Sequence, residues 1–127
     1  MKNLIVISGV VLAALTMSFT FSTKAAFSWE KTDLFAGEIP QGVPHEVTFT
    51  FTNTGDAPLV ITRTQGSCGC TATAFTEEAI APGDEGWVRA TYNAAKVGAF
   101  NKTVTVYSNA EGEPTVLRLR GEVVSQE

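Results

Sequence analysis

Apolar and polar residues alternate along most of this chain with a period of two. Val47, Phe49 and Phe51 are interleaved with Thr48, Thr50 and Thr52, and Leu117, Leu119 and Val123 alternate with Arg118, Arg120 and Glu122. Successive side chains of a strand point to opposite faces, so this pattern builds half-buried strands and leaves little for helices, whose period is 3.6. Similar segments recur. Val88, Ala90 and Tyr92 form an inward set with Arg89 outward, and Val104 and Val106 face in between Thr103, Thr105 and Tyr107. Residues 59–64 read as a strand. Residues 70–75 read as another, with Cys70, Ala72 and Ala74 on one face and Thr71, Thr73 and Phe75 on the other. At the front, 26–29 and 33–39 supply one or two short strands. Turn residues punctuate the series: Asn53-Thr54-Gly55-Asp56, Pro82-Gly83-Asp84-Glu85-Gly86, and the Asn, Gly and Pro of 109–114. About seven short strands at regular spacing predict an all-β fold, a seven-stranded immunoglobulin-like antiparallel β-sandwich. The chain lacks the Cys…Trp…Cys spacing of antibody-type domains.

The first residues depart from this pattern and read as a secretory signal. Lys2 supplies the positive start, and 4–17 is an apolar run broken only by Ser8, Gly9 and Thr16. Thr23-Lys24-Ala25 presents small or modest side chains where a signal peptidase cuts, which predicts cleavage after Ala25, with Ala26 as the neighbouring alternative. The apolar run is shorter than the ~20 residues a spanning helix needs, so no membrane insertion is expected after cleavage. Residues 1–25 are thus a signal peptide and 26–127 a single domain of 102 residues, enough for one core. Without Lys2 and Lys24, seven bases stand against 13 acids, and the net charge moves from −4 to −6. Such a surface argues against nucleic acid and anionic membranes as partners. The expected location is periplasmic or secreted.

The middle of the chain carries an ordered set of motifs: 49–61 (FTFTNTGDAPLVI), Ser67-Cys68-Gly69-Cys70-Thr71, Pro82-Gly83-Asp84-Glu85-Gly86, Tyr92, Gly98-Ala99-Phe100-Asn101-Lys102 and Ser108-Asn109. Together they resemble an exported bacterial domain-of-unknown-function family with an SCGCT signature, related to immunoglobulin-like domains of the Hydin and major sperm protein type. The resemblance covers roughly 27–124. At Asp33-Leu34-Phe35-Ala36-Gly37 the chain departs from the tighter Asp-Phe-Gly arrangement expected there, which leaves the register of the first strands open. The resemblance implies a seven-stranded sandwich outside the cytosol and no established reaction. Related domains act as binding and scaffolding modules, an analogy at the level of fold.

Cys68 and Cys70 are the only cysteines and lie one residue apart. Three states are open to them. An exported pair can oxidise to a disulfide. In a straight strand the two Cα atoms would lie ~6.5 Å apart, near the limit for a bridge, and Gly69 allows the bend that closes it. Two thiolates can instead hold Cu(I), a soft ion that accepts few ligands. The third state is a pair of packed thiols at a strand edge. A closed zinc site wants four ligands, and His45 is the only other strong candidate. His45 is also the only base available for a Cys-His nucleophile, and nothing in the sequence brings it to the cysteines. Ser28, Ser67, Ser108 and Ser125 lack a nucleophile-elbow pattern, and Gly66-Ser67-Cys68-Gly69-Cys70 lacks the Lys and following helix of a phosphate loop. Trp29 and Trp87 read as core or half-buried packing. No catalytic residue and no cofactor is expected.

The sequence therefore points to a non-enzymatic, exported interaction or scaffolding module whose partner is an exported protein or cell-surface component. The competing reading is a periplasmic thiol-redox or Cu(I)-binding protein built on Cys68 and Cys70.

Overall fold

The computed structural model describes residues 24–112 and 114–126. The apolar run assigned to the signal lies outside the described residues. Among the described residues, eight strands form two four-stranded sheets. They are β1 (Phe27–Trp29), β2 (Asp33–Pro40), β3 (His45–Asn53), β4 (Ile61–Gly66), β5 (Thr71–Phe75), β6 (Glu85–Tyr92), β7 (Gly98–Ser108) and β8 (Thr115–Val124). The first sheet has the order β1-β3-β6-β5 and the second β2-β8-β7-β4.

The alternation read from the sequence is the alternation of burial. Phe49, Phe51, Val88 and Ala90 of the first sheet pack against Ile61, Val104, Val106 and Leu117 of the second. A second cluster closes one end of the sandwich, made by Ile39, Tyr92, Ala94, Phe100, Leu119 and Val123. Its centre is the stacked pair Tyr92 and Phe100, with ring centroids 4.5 Å apart. At the other end Phe27, Trp29 and Phe51 form an aromatic group with centroids 4.8 to 5.0 Å apart. Gly86 sits where there is no room for a side chain: an added Cβ would lie 2.5 Å from Ile80 Cδ1 and against the Phe51 ring.

Three expectations change. The strands number eight rather than seven, because β1 and β2 are separate strands on opposite sheets: the chain leaves β3 at Trp29 and joins β8 at Asp33. The sandwich is not antiparallel throughout, since β2 runs parallel to β8. That pairing slips between Phe35 and Glu38, where Gly37 takes a φ of 73°, the left-handed region glycine enters at no steric cost. The register left open at 33–37 is therefore a bulge. Finally, the strand expected at 59–64 begins at Ile61, and Leu59 instead makes an isolated bridge with Ile80.

Asn53, at the end of β3, is fully buried. Its side-chain amide donates to the carbonyls of Ala57 (2.8 Å) and Ile80 (2.9 Å). Its Oδ1 accepts from the backbone N–H of Gly55 (3.0 Å) and Ala26 (3.3 Å). Its backbone N–H donates to Asp84 and its carbonyl accepts from Gly83. One residue thus ties together the approach to β1, the turn after β3 and the loop before β6. Lys24 and Ala25, which precede the expected cut, lie against the same turn: Asp56 N–H donates to the Lys24 carbonyl and Ala25 is buried.

Removing a partner from a buried hydrogen-bond group leaves the others unsatisfied, at ~1–3 kcal/mol for each orphan. Asn53→Ala is expected to lower unfolding free energy by about 3 kcal/mol, read as a lower urea midpoint at unchanged m-value. A loss below about 0.5 kcal/mol would remove Asn53 from this role.

Candidate functional site

The chain crosses from the second sheet to the first between β4 and β5, and the cysteine motif makes that crossing. Ser67 still belongs to the ladder: its N–H donates to the Thr103 carbonyl (2.8 Å), and Thr103 N–H donates to Ser67 Oγ (3.1 Å). The turn is tight enough that a Cβ on Gly66 would meet the Thr71 carbonyl oxygen at 2.9 Å. Thr71 N–H donates back to the Cys68 carbonyl (3.3 Å), and Asn93 N–H donates to the Cys70 carbonyl (3.0 Å). Gly69 stands exposed at the tip, with open space where a side chain would be.

In the structure Cys68 and Cys70 are joined by a disulfide, with Cα atoms 5.2 Å apart. The turn has shortened the ~6.5 Å of a straight strand into the range a bridge needs. Both residues are half-buried. Cys70 packs on the Tyr92–Phe100 cluster, and Cys68 Sγ lies 3.7 Å from Thr71 Oγ1. Bonded to each other, the sulfurs offer neither a thiolate to a metal nor a nucleophile to a substrate. His45 begins β3 opposite Tyr92, and Tyr92 is opposite Thr71 on its other side. His45 therefore shares an end of the sheet with the disulfide but lies two strand spacings, ~10 Å, from β5.

β5 is an outer strand of the first sheet, so among the described residues one side of its backbone has no neighbouring strand. Its faces also resolve an ambiguity of the sequence: Thr71, Thr73 and Phe75 turn inward, and Ala72 and Ala74 are exposed. Thr73 is held from within the sandwich by Thr64, whose Oγ1 donates to Thr73 Oγ1 (2.8 Å). The bonds from Asn93 N–H to Cys70 and from Thr76 N–H to Trp87 set the phase of the ladder with β6. Antiparallel pairs alternate, so Ala72 and Ala74 bond to β6 while the N–H and C=O groups of Thr73 and Phe75 point outward. Beside them lies an open groove of about 640 Å³ lined by Thr73, Ala74, Phe75, Thr76, Glu77, Glu78 and Trp87.

The other outer strands are each defended. β1 has three residues. β2 carries the Gly37 bulge and ends in Pro40. β4 shifts register between Ile61 and Arg63 and bears that arginine, which stacks on Tyr107 at 4.0 Å. Short length, bulges, proline and charge all oppose the pairing of an edge with another chain. β5 keeps continuous register over its five residues and has no charge and no proline. An all-β sandwich of this kind is expected to have exposed edge strands, but nothing in the sequence singles out β5, because which strand is outermost is a consequence of strand order and leaves no local signal.

Two four-stranded sheets packed face to face, with a chain that crosses between them, define an immunoglobulin-like β-sandwich domain. A family model described as "Protein of unknown function (DUF1573)" matches residues 27–123, and the chain belongs to that family, in keeping with the resemblance of its motifs. Comparison with curated protein sequences returned no match. Among solved structures, the chain is similar to a protein of unknown function from Porphyromonas gingivalis W83 (TM-score 0.69, 14% identity), covering 79% of this chain and 47% of that one. It thus spans about half the length of that relative. It is also similar to an ASH/PapD-like domain of human CEP192 (TM-score 0.67, 9% identity, 82% of this chain and 89% of that one). A third likeness is to part of the Vibrio cholerae VesB protease (TM-score 0.58, 15% identity, 78% of this chain and 32% of that one). At these identities the likeness is one of fold.

A disulfide closing so short a loop is a weak staple: the chain-entropy relation gives only ~1.6 kcal/mol. Cys68→Ser/Cys70→Ser is therefore expected to remain folded and lose about 1–2 kcal/mol in urea unfolding. A loss of 4 kcal/mol or more, the effect of a major cross-link, would contradict this reading of the turn.

Proposed function

We propose that this protein is an exported, non-enzymatic interaction module that works in the periplasm or outside the cell, holding an exported protein or cell-surface component. The observation that carries the proposal is the open edge of β5, an ordered strand whose outward backbone groups lack the usual protections of an edge. Strand addition uses such an edge: main-chain hydrogen bonds supply affinity, and neighbouring side chains supply selectivity. The signal-like leader and the disulfide suit an oxidising compartment. In this reading the Cys68–Cys70 bond is structural. It holds the sheet-to-sheet crossing in which β5 begins.

A second reading rests on the half-exposure of the same bond. A three-residue disulfide at a rim is open to attack by a partner thiolate, which would release one cysteine thiolate and form a mixed disulfide with the other. Reduction to two thiols would then allow Cu(I) to bind.

Crosslinking in intact cells separates the two. The interaction reading expects a discrete partner adduct that persists in Cys68→Ser/Cys70→Ser and is insensitive to reductant. The redox reading expects the single variant Cys70→Ser, whose Cys68 thiolate attacks the disulfide of an oxidised partner in the reverse exchange and displaces one partner thiolate, to accumulate a reductant-sensitive adduct, and the double variant to lose it. Absence of any adduct from the wild-type protein would overturn the interaction reading.

A further inference from the structure

We infer that the β5 edge accepts an extended, apolar segment carrying basic residues at its N-terminal end, added antiparallel to Thr71–Phe75. The inference rests on the interaction-module reading and gives that reading a site and a partner chemistry.

The backbone sets the direction and length. Thr73 and Phe75 each present an outward N–H and C=O, as the phase of the ladder with β6 requires, and Thr71 presents its C=O, its N–H being taken by Cys68. An incoming strand of about five residues satisfies these five groups. Antiparallel pairing is slightly more stable per residue and places the N-terminal end of the added strand at the C-terminal end of β5. That end carries Glu77 and Glu78, both exposed, beside the groove that Trp87 lines. Two carboxylates there attract cationic side chains on the incoming strand; Arg89, opposite Ala74, is paired with Glu46 (3.1 Å) and covers one face of the Trp87 ring (4.5 Å), which leaves the other face of that ring and the methyl of Ala74 as apolar surface.

A second copy of this chain does not satisfy the same site. Residues 64–88 hold no lysine or arginine, so β5 paired with another β5 sets no cation opposite Glu77 and Glu78. The whole chain has a net charge of −4, which further opposes self-association.

The test uses the purified protein and a synthetic heptapeptide of two lysines followed by alternating valine and threonine. Its binding is followed by peptide fluorescence anisotropy and by the protein's tryptophan emission, to which Trp29 and Trp87 both contribute. Saturable binding is expected, weakening as salt rises. Thr73→Pro removes an outward N–H without touching the ladder to β6, and it is expected to weaken binding about fivefold or more. Glu77→Gln/Glu78→Gln, on exposed positions, is expected to weaken it and to abolish the salt dependence. Peptide N-methylated at alternate residues is expected not to bind, a comparison that holds even if Thr73→Pro disturbs the fold. Equal binding of the methylated peptide, or of a peptide with glutamates in place of the lysines, would overturn the proposal. So would the absence of binding at millimolar peptide, or sedimentation of the free protein as a dimer that Thr73→Pro dissociates. If crosslinking yields a partner in cells while these peptides do not discriminate, the edge assignment fails and the interaction module stands. If no partner is crosslinked, the broader reading fails.

Discussion

Four hydrogen bonds converge on the buried side chain of Asn53, and the arrangement of the sandwich depends on them. An amide has two donors and an acceptor oxygen with two lone pairs, and here all of that capacity is used within the protein. The partners come from three separate stretches, at Ala26, at Gly55 and Ala57, and at Ile80. Without a central acceptor and donor, these backbone groups would be buried and unpaired, a cost that apolar packing cannot repair. With them satisfied, Leu59 and Ile80 bridge, Gly86 passes under the Phe51 ring, and the two sheets close on one apolar layer.

The opposite end of the sandwich is organised by packing and a short covalent turn. Tyr92 and Phe100 stack, Cys70 rests on their cluster, and Lys102 lies over the Tyr92 ring at 5.8 Å. The disulfide adds little to global stability. Its consequence is local, since it fixes where the crossing from β4 ends and where β5 begins. β5 is thereby held in extended register although only one side of it is paired. The cost of ordering an isolated strand, ~1–2 kcal/mol per residue in backbone entropy, is borne by the fold before any partner arrives.

Much of the fold was legible in the sequence, because a period of two on one strand is a local property. Val88, Ala90 and Tyr92, Val104 and Val106, and Leu117, Leu119 and Val123 were read as inward and are buried. What escaped the sequence depends on distant partners. Asn53 reads as an ordinary turn residue, since the groups it bonds at Ala26 and Ile80 are both 27 residues away. The parallel pairing of β2 with β8 joins the two ends of the domain. The inward face of β5 is formed by threonines and Phe75 rather than by its alanines, because Phe75 packs on the core and Thr73 bonds to Thr64 across the sandwich. The cysteine pair was open to three states because the separation of its Cα atoms is set by the turn, and the turn is set by Gly66, Ser67 and their partners on β7 and β5. Among the described residues, His45 and the cysteines share one end of the sheet without forming a nucleophile–base pair.

The proposed function depends on Thr71–Phe75 being an ordered strand with no strand on its outer side among the described residues. Residue-resolved amide hydrogen exchange of the purified protein tests it most directly. The predicted result is an alternating pattern, with slow exchange at Ala72, Ala74 and Thr76 and fast exchange at Thr73 and Phe75. Uniformly fast exchange from residue 71 to 76 would show that the strand is not held. Uniformly slow exchange would show that its outer side is already filled. Either result would contradict the account.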